Sequence, residues 1–331
     1  MTHMLSRRRI IRISAAAAGL SVLPFGMKAK AEASVVTWRG TMLGAVATMK
    51  IHHEDPGKAE RLIAVACAEA RRLERLFSLY LEDSALVELN RTGVLVDPAI
   101  ELVDLLRVSV RYAELTRGAF DPTVQPLWRL YAGHFSRAGA DPNGPSRNDV
   151  RAVLARVGYR HLAISRDRVV MPSGFAITLN GIAQGYVTDK VVDLLRSQGV
   201  VRSMVDMGET RAIGSRPDGT PWEVGISDPG FAGRTAAVIP IVDRAVSTSG
   251  GYGFQFDAAG RFNHLFDPSN GGCASRYCSV TTVAGNATAA DAMSTAFSLM
   301  EQARIRELLA PGGIEQVHLI DARGQASELI G

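Results

Sequence analysis

Cysteine is scarce in this chain, with three residues in 331. That is too few to organise a fold through disulfides, and the odd number leaves at least one thiol unpaired. Aromatic residues are also sparse. No Gly-x-Ser-x-Gly elbow, no phosphate loop ending in Gly-Lys-Ser/Thr and no Gly-x-Gly-x-x-Gly after a strand occurs, which removes the commonest hydrolase, NTPase and dinucleotide-binding templates. Internal repeats and low-complexity tracts are missing beyond the first 33 residues, as is any run of about 20 apolar residues that would anchor the mature chain in a membrane. Strong charge of one sign is lacking too, once position is considered. The formal charge is +4, but Arg7, Arg8, Arg9, Arg12, Lys28 and Lys30 against Glu32 alone account for it, leaving 31 basic and 32 acidic residues in the rest. A near-neutral body offers no long-range field to a polyanion, so nucleic acid is not an expected partner.

What is present is the composition of an ordinary folded protein, 47% hydrophobic and 21% charged, in a chain long enough for one large or two modest domains. Residues 1–33 read as a targeting segment: a basic start, the apolar stretch Ile13 to Phe25, and small residues around Ala29 to Ala33 for cleavage. Ser6-Arg7-Arg8-Arg9-Ile10-Ile11-Arg12 resembles a twin-arginine export signal, which predicts a periplasmic mature protein of residues 34–331. The Gly, Pro, Asn and Ser of residues 132–148 mark a loop or a boundary between lobes.

Periodicity predicts a first strand over Val35 to Met49, then a helix over Lys58 to Leu76 burying Leu62, Val65, Ala66, Leu73 and Leu76. A second helix follows Asp97-Pro98 and stops at Gly118, and a short one covers Arg147 to Val157. Strands are expected at Leu162 to Ile164, Val169 to Met171, Ala176 to Leu179, Ser203 to Asp206, Trp222 to Ile226, Ala237 to Val242, Ser279 to Val283 and Gln316 to Ile320. Helices are expected at Gln184 to Gln198, Ala289 to Met300 and Gln302 to Leu309. Without regular βαβ alternation the fold class is α+β, with layered mixed or antiparallel sheets and flanking helices. Cys67 falls in a helical pattern as a core thiol, while Cys273 and Cys278 are close enough in sequence for a disulfide or, with His264, a zinc site.

Four segments could carry chemistry. In Thr178-Leu179-Asn180-Gly181-Ile182-Ala183-Gln184-Gly185-Tyr186 a strand passes through glycines into a helix, whose start exposes N–H groups that a phosphate can approach. An ordinary strand-to-helix turn reads the same way. In Ala290-Asp291-Ala292-Met293-Ser294-Thr295, Asp291 and Thr295 share a helical face as hard oxygen ligands suited to Mg²⁺; the bland alternative is an acid favouring a helix N-terminus. Ser247 to Tyr252, next to a strand ending in His264-Leu265-Phe266-Asp267-Pro268, could hold an anion beside an imidazole. Gly118-Ala119-Phe120-Asp121-Pro122-Thr123 is a loop whose aromatic could pack under a flat ring.

In this order, and with Gly40-Thr41-Met42, Leu79 to Leu86 leading to Asn90, and Val205-Asp206-Met207-Gly208-Glu209, these segments resemble the ApbE family of FAD:protein FMN transferases over nearly the whole mature chain. The Thr178 to Tyr186 wording is most similar to the NosX branch, which accompanies nitrous-oxide reductase systems. The resemblance implies an ApbE-like, T-fold-like architecture. It also implies an enzyme that cleaves FAD, attaches FMN to a Ser or Thr hydroxyl of an exported acceptor such as a NosR-like flavoprotein, and releases AMP.

By the same resemblance Met42, Tyr80, Ala119, Phe120, Asp121, Thr178, Gln184 and His264 would bind FAD. Gly181, Asp291 and Thr295 would hold Mg²⁺, and His264 would act as base with Asp267 orienting it. The chain departs from the family pattern at Thr178, Gln184 and Ser294, where an Asp, a Lys and an Asp are frequent; water or Ser294 would then complete the metal's coordination. Those neutral replacements support an alternative, an exported FAD-binding protein without transferase activity; a third reading is a Mg²⁺-dependent FAD pyrophosphatase with water as nucleophile.

Overall fold

The computed structural model describes residues 35–230 and 233–331, so the twin-arginine segment lies outside the described residues. The first predicted strand is a hairpin: β1 (Val35–Met42) and β2 (Ala45–His52) pair antiparallel around Leu43-Gly44, both at positive φ. A continuous β-rich run hides such a turn because its tip, Leu43, is apolar. Helix α1 (Pro56–Phe77) begins where Asp55 accepts the Lys58 N–H and Pro56 occupies the first turn. Its buried face is Ala59, Leu62, Ile63, Ala66, Cys67, Ala70, Leu73 and Phe77, whereas Val65 points outward at 51% exposure.

Then come α2 (Ala85–Thr92), β3 (Val94–Val96), α3 (Ile100–Leu115), α4 (Gln125–Phe135), α5 (Arg147–Leu154), β4 (Ala163–Ile164), β5 (Arg168–Val170), α6 (Ala183–Ser197), β6 (Ser203–Asp206) and β7 (Thr210–Ile213). The chain continues through β8 (Trp222–Ser227), β9 (Thr235–Ile241), β10 (Ala245–Ser249), β11 (Tyr277–Ala284), α7 (Ala287–Phe297), α8 (Gln302–Gly312), β12 (Ile314–Asp321) and β13 (Ala326–Ile330). Eight strands form one sheet in the order β1-β2-β6-β7-β10-β11-β12-β13, every described pair antiparallel. The fold is α+β, as expected. No helix among the described residues is long and apolar enough to cross a membrane.

Strand periodicity sorts the sheet's side chains between two cores. Val205, Ile213, Val280 and Ala284 join the main core with α1, α3, α6 and α7, while Met204, Ala212, Val246 and Val283 meet Trp222, Ile226, Ile239 and Ile241 of the β8/β9 hairpin. Strands covered on both faces lose their apolar-polar alternation. That is why neither β7 nor β10 stands out in the sequence pattern.

A third cluster joins Leu127 and Tyr131 of α4 to Phe266, with Trp128, Phe256 and Phe262 packed around them. Residues 136–146 are turns between α4 and α5, and the Phe262 ring lies against Gly144.

Two expected strands are absent. Residues around His264 form a loop with single bridges, Gln255 to Asn263 and Phe266 to Cys273. Ala176–Leu179 has no strand partner either, because a side chain substitutes for one: Asn90 Nδ2 donates to the Ile177 carbonyl (2.8 Å) and Asn90 Oδ1 accepts its N–H (2.6 Å). Since Ile177 is fully buried, truncation orphans both backbone groups. Asn90→Ala should cost about 1–3 kcal/mol in urea unfolding, with Asn90→Asp, which keeps only the acceptor, falling between; an unchanged midpoint in the alanine variant would remove this role.

Candidate active site

A cleft of about 1130 Å³, including space open to solvent, gathers residues from several parts of the chain. Ala119, Phe120 and Asp121 form one wall; Thr178, Asn180, Gly181 and Gln184 carry the passage into α6; Thr248, Ser249 and Gly250 end β10; His264 to Phe266 face them; Asp291 and Thr295 come from α7. Tyr80 and Trp128 stand at its apolar side.

Hydrogen bonds explain why these parts meet. The Thr178 N–H donates to the Pro122 carbonyl (2.7 Å), joining the Phe120 loop to the segment before α6. Asn180 Nδ2 donates to the Tyr80 hydroxyl (3.2 Å). At the start of α6 the Gly185 N–H donates to Asp291 Oδ2 (3.0 Å). Glycine is required there, because a Cβ would lie 2.3 Å from the Ala287 carbonyl oxygen. Gly208, at φ +109°, leaves room for the Gln184 amide, which a Cβ would meet at 2.6 Å.

The three expected metal ligands converge. A Cβ on Gly181 would sit 3.0 Å from Thr295 Oγ1, and Asp291 lines the same floor. Beside them is a carboxyl to which the sequence attached no role: Glu209 is buried, with Oε2 lacking any partner. The run 203–213 is buried throughout although it also carries Asp206 and Arg211, so nothing in the sequence marked Glu209 out from its charged neighbours. Burial pushes Asp291 up to about 7, and burial together with Asp291's charge pushes Glu209 well above the usual carboxylate range. Among the described residues no Lys or Arg lines the cleft. An orphaned buried carboxyl oxygen beside carboxylate, hydroxyl and carbonyl donors fits a hard divalent cation. Among the described residues no group of three or more His, Cys, Asp or Glu is assembled to hold a metal. Such a site therefore depends on neutral oxygens as well, and the zinc set of Cys273, Cys278 and His264 does not form; all three cysteines are free.

Several expected roles are corrected by geometry. Asp267 does not orient His264: its carboxylate accepts from Ser269 N–H (2.9 Å), Ser269 Oγ (2.6 Å) and Asn270 Nδ2 (2.7 Å) within its own turn. The partner of His264 Nδ1 is the Phe254 carbonyl at 3.2 Å. A carbonyl only accepts, so this bond puts the proton on Nδ1 and leaves Nε2 as an acceptor. Burial lowers the imidazole's pKa and keeps it neutral at pH 7.

Met42 is buried in the main core and does not line the cleft; Leu43 after it lines a smaller neighbouring pocket with Tyr80 and Gln184. Asp121 lines the cleft, but its carboxylate holds Thr123 and the Tyr159 N–H. Ser294 cannot complete a coordination sphere from its place under α7, where it bonds Ser247 (3.2 Å), Ser249 (2.7 Å) and the Asp291 carbonyl (3.0 Å).

The fold is shared with solved ApbE proteins. The chain belongs to the ApbE family, whose sequence profile matches residues 43–318. It is 29% identical over 302 residues to the FAD:protein FMN transferase of Klebsiella pneumoniae, covering 87% of this chain and 82% of that one. It is 32% identical over 236 residues to that of Vibrio cholerae, covering 69% and 70%. Among solved structures, the ApbE protein of Thermotoga maritima superposes with a TM-score of 0.79 at 28% identity, covering 88% of this chain and 96% of that one. The apo flavinyl transferase ApbE of Pseudomonas stutzeri gives 0.75 at 28%, covering 89% and 94%.

Beside the cleft, burial raises Asp206 from its ordinary 3.8 to about 6 against the opposing Gly208 hydrogen bond. A carboxyl raised in the folded state holds its proton more tightly there, so its contribution is full below about pH 4 and is lost as pH rises through about 6. Asp206→Asn cannot titrate. Relative to it, the wild type should lose up to about 3 kcal/mol between pH 4 and 7 in denaturant melts; parallel profiles would contradict the shift.

Proposed function

We propose that this protein transfers FMN from FAD to a Ser or Thr hydroxyl of an exported acceptor protein, with Mg²⁺ and with release of AMP. The observation that carries this reading is the convergence of Gly181, Asp291, Thr295 and the orphaned Glu209 carboxyl on a cleft floor that, among the described residues, has no Lys or Arg. A dianionic diphosphate entering there would meet two acids and neutral groups but no cationic side chain among the described residues, so its charge needs a cation that those side chains do not provide. Mg²⁺ held by the Gly181 carbonyl, Asp291 and Thr295 would polarise phosphoryl oxygens and offset that charge.

The chain's own groups supply the rest. Tyr80, Phe120 and Trp128 offer flat apolar surface for the isoalloxazine, with Ala119, Asp121, Thr178 and Gln184 along the same cleft. His264 Nε2, free to accept because Nδ1 is committed to the Phe254 carbonyl, takes the acceptor hydroxyl's proton. The acceptor oxygen then bonds to the FMN phosphorus, and the bond from that phosphorus to the bridging oxygen breaks. AMP leaves with the bridging oxygen. The acceptor is a NosR-like flavoprotein, supported by the likeness of Thr178 to Tyr186 to the NosX branch. The compartment is the periplasm, supported by the twin-arginine pattern at Ser6 to Arg12.

Purified protein mixed with FAD, Mg²⁺ and a candidate acceptor tests this reading through flavin fluorescence on the denatured acceptor band. Transfer should require Mg²⁺ and vanish in Asp291→Ala, while His264→Ala should keep FAD binding and slow transfer by about 10²–10⁴-fold. Full transfer by the Asp291 variant overturns the metal assignment. Free FMN instead of labelled acceptor would mean a pyrophosphatase, and unchanged FAD a binding protein.

A further inference from the structure

Asp189 lies outside the cleft, on α6 one turn beyond Gly185, and is buried with both oxygens fully engaged. Oδ1 accepts the Ala287 N–H (2.8 Å) and Arg211 Nη1 (2.7 Å). Oδ2 accepts the Thr288 N–H (2.8 Å) and the Thr288 hydroxyl (2.5 Å). Ala287 and Thr288 open α7, so two N–H groups that a helix start leaves unpaired are held by a carboxylate from a neighbouring helix. Asn286 accepts a third, from Ala289.

This clamp is one of two ties. Gly185 and Asp189 are four residues apart on α6, and Asp291 and Ala287 are four apart on α7. The helices are thus joined by two rungs about one turn, or roughly 5–6 Å, apart: Asp189 to Ala287 and Thr288, and Gly185 to Asp291. Two rungs between rigid helices set both the slide of α7 along its axis and its rotation. Asp291 and Thr295 stand one and two turns beyond the first rung, on the face turned to Gly181. Arg211, buried on β7, offsets the charge that would otherwise make this carboxylate costly to bury.

We propose that Asp189 is a positioning residue for the cation site: its clamp on the first turn of α7 sets where Asp291 and Thr295 stand opposite Gly181. The inference rests on the Mg²⁺ reading above, and the experiment separates the two. Mn²⁺ binding to the full mature chain is measured by electron paramagnetic resonance, alongside thermal melting and FAD binding in EDTA. Asp189→Asn puts an amide N–H against backbone donors and breaks a rung. Thr288→Val removes only the hydroxyl bond and leaves every charge in place, so it excludes a purely electrostatic effect.

Mn²⁺ affinity should fall about tenfold in Asp189→Asn and about threefold in Thr288→Val. FAD binding in EDTA should be unchanged, and transfer should recover at saturating Mg²⁺. If Asp189→Asn does not fold, Thr288→Val decides alone. Folded variants that bind Mn²⁺ like wild type, even with lowered melting temperatures, overturn the positioning role and leave the cation site standing. A wild type that binds no Mn²⁺ overturns both.

Discussion

Two buried carboxyl groups, Glu209 and Asp291, share one cleft floor with no cationic side chain among the described residues lining it, and the arrangement around them follows from that constraint. Burial of an acid without a partner is unfavourable, and proximity of a second acid makes ionisation of both more so. The Gly185 N–H offsets part of this for Asp291, and Ser247 and the Thr248 N–H do so for Glu209. The remainder is a standing preference for positive charge at that point. A fold selected for stability alone would fill such a position with apolar side chains.

The scaffold around this floor is built to resist relaxation. Ser247, Ser249, Ser294 and Thr295 share hydroxyl bonds that fasten α7 to β10. Gly185 lets α6 and α7 approach to backbone contact. On the opposite side, the aromatic cluster of Tyr131, Phe256, Phe262 and Phe266 gives the His264 loop a rigid bed that regular strand pairing does not provide. The imidazole is oriented by a main-chain carbonyl. That partner carries no charge, so the ring is oriented without a further acid being added to an already acidic cleft.

Much of the fold was legible because amphipathic helices advertise themselves: α1, α3 and α6 each show an apolar face at helical spacing with Pro, Asp or Gly at a boundary. Strands β7 and β10 gave no such signal, since both their faces are covered and the period-two pattern disappears. Ala176–Leu179 looked like a strand and is extended, but its pairing partner is the side chain of Asn90, 87 positions away in sequence. Asp267 next to a histidine looked like an orienting acid, whereas a Ser and an Asn within three residues satisfy its oxygens locally. Short-range competition of this kind is invisible to a motif.

The chain by itself determined the inventory: which segments carry hydroxyls, glycines and acids, the α+β class, and the i, i+4 relation of Asp291 to Thr295, because these depend on local periodicity and residue chemistry. Tertiary structure alone decided that Glu209 joins Asp291, that Ser294 turns under its helix, that Met42 stays in the core and that Phe254 holds His264. Apart from the Phe254 contact, which spans ten positions, each of those outcomes depends on packing between segments far apart in the chain. Whether an acid is solvated or buried is a property of the space around it, and that space exists only once the sheet and its two layers have closed.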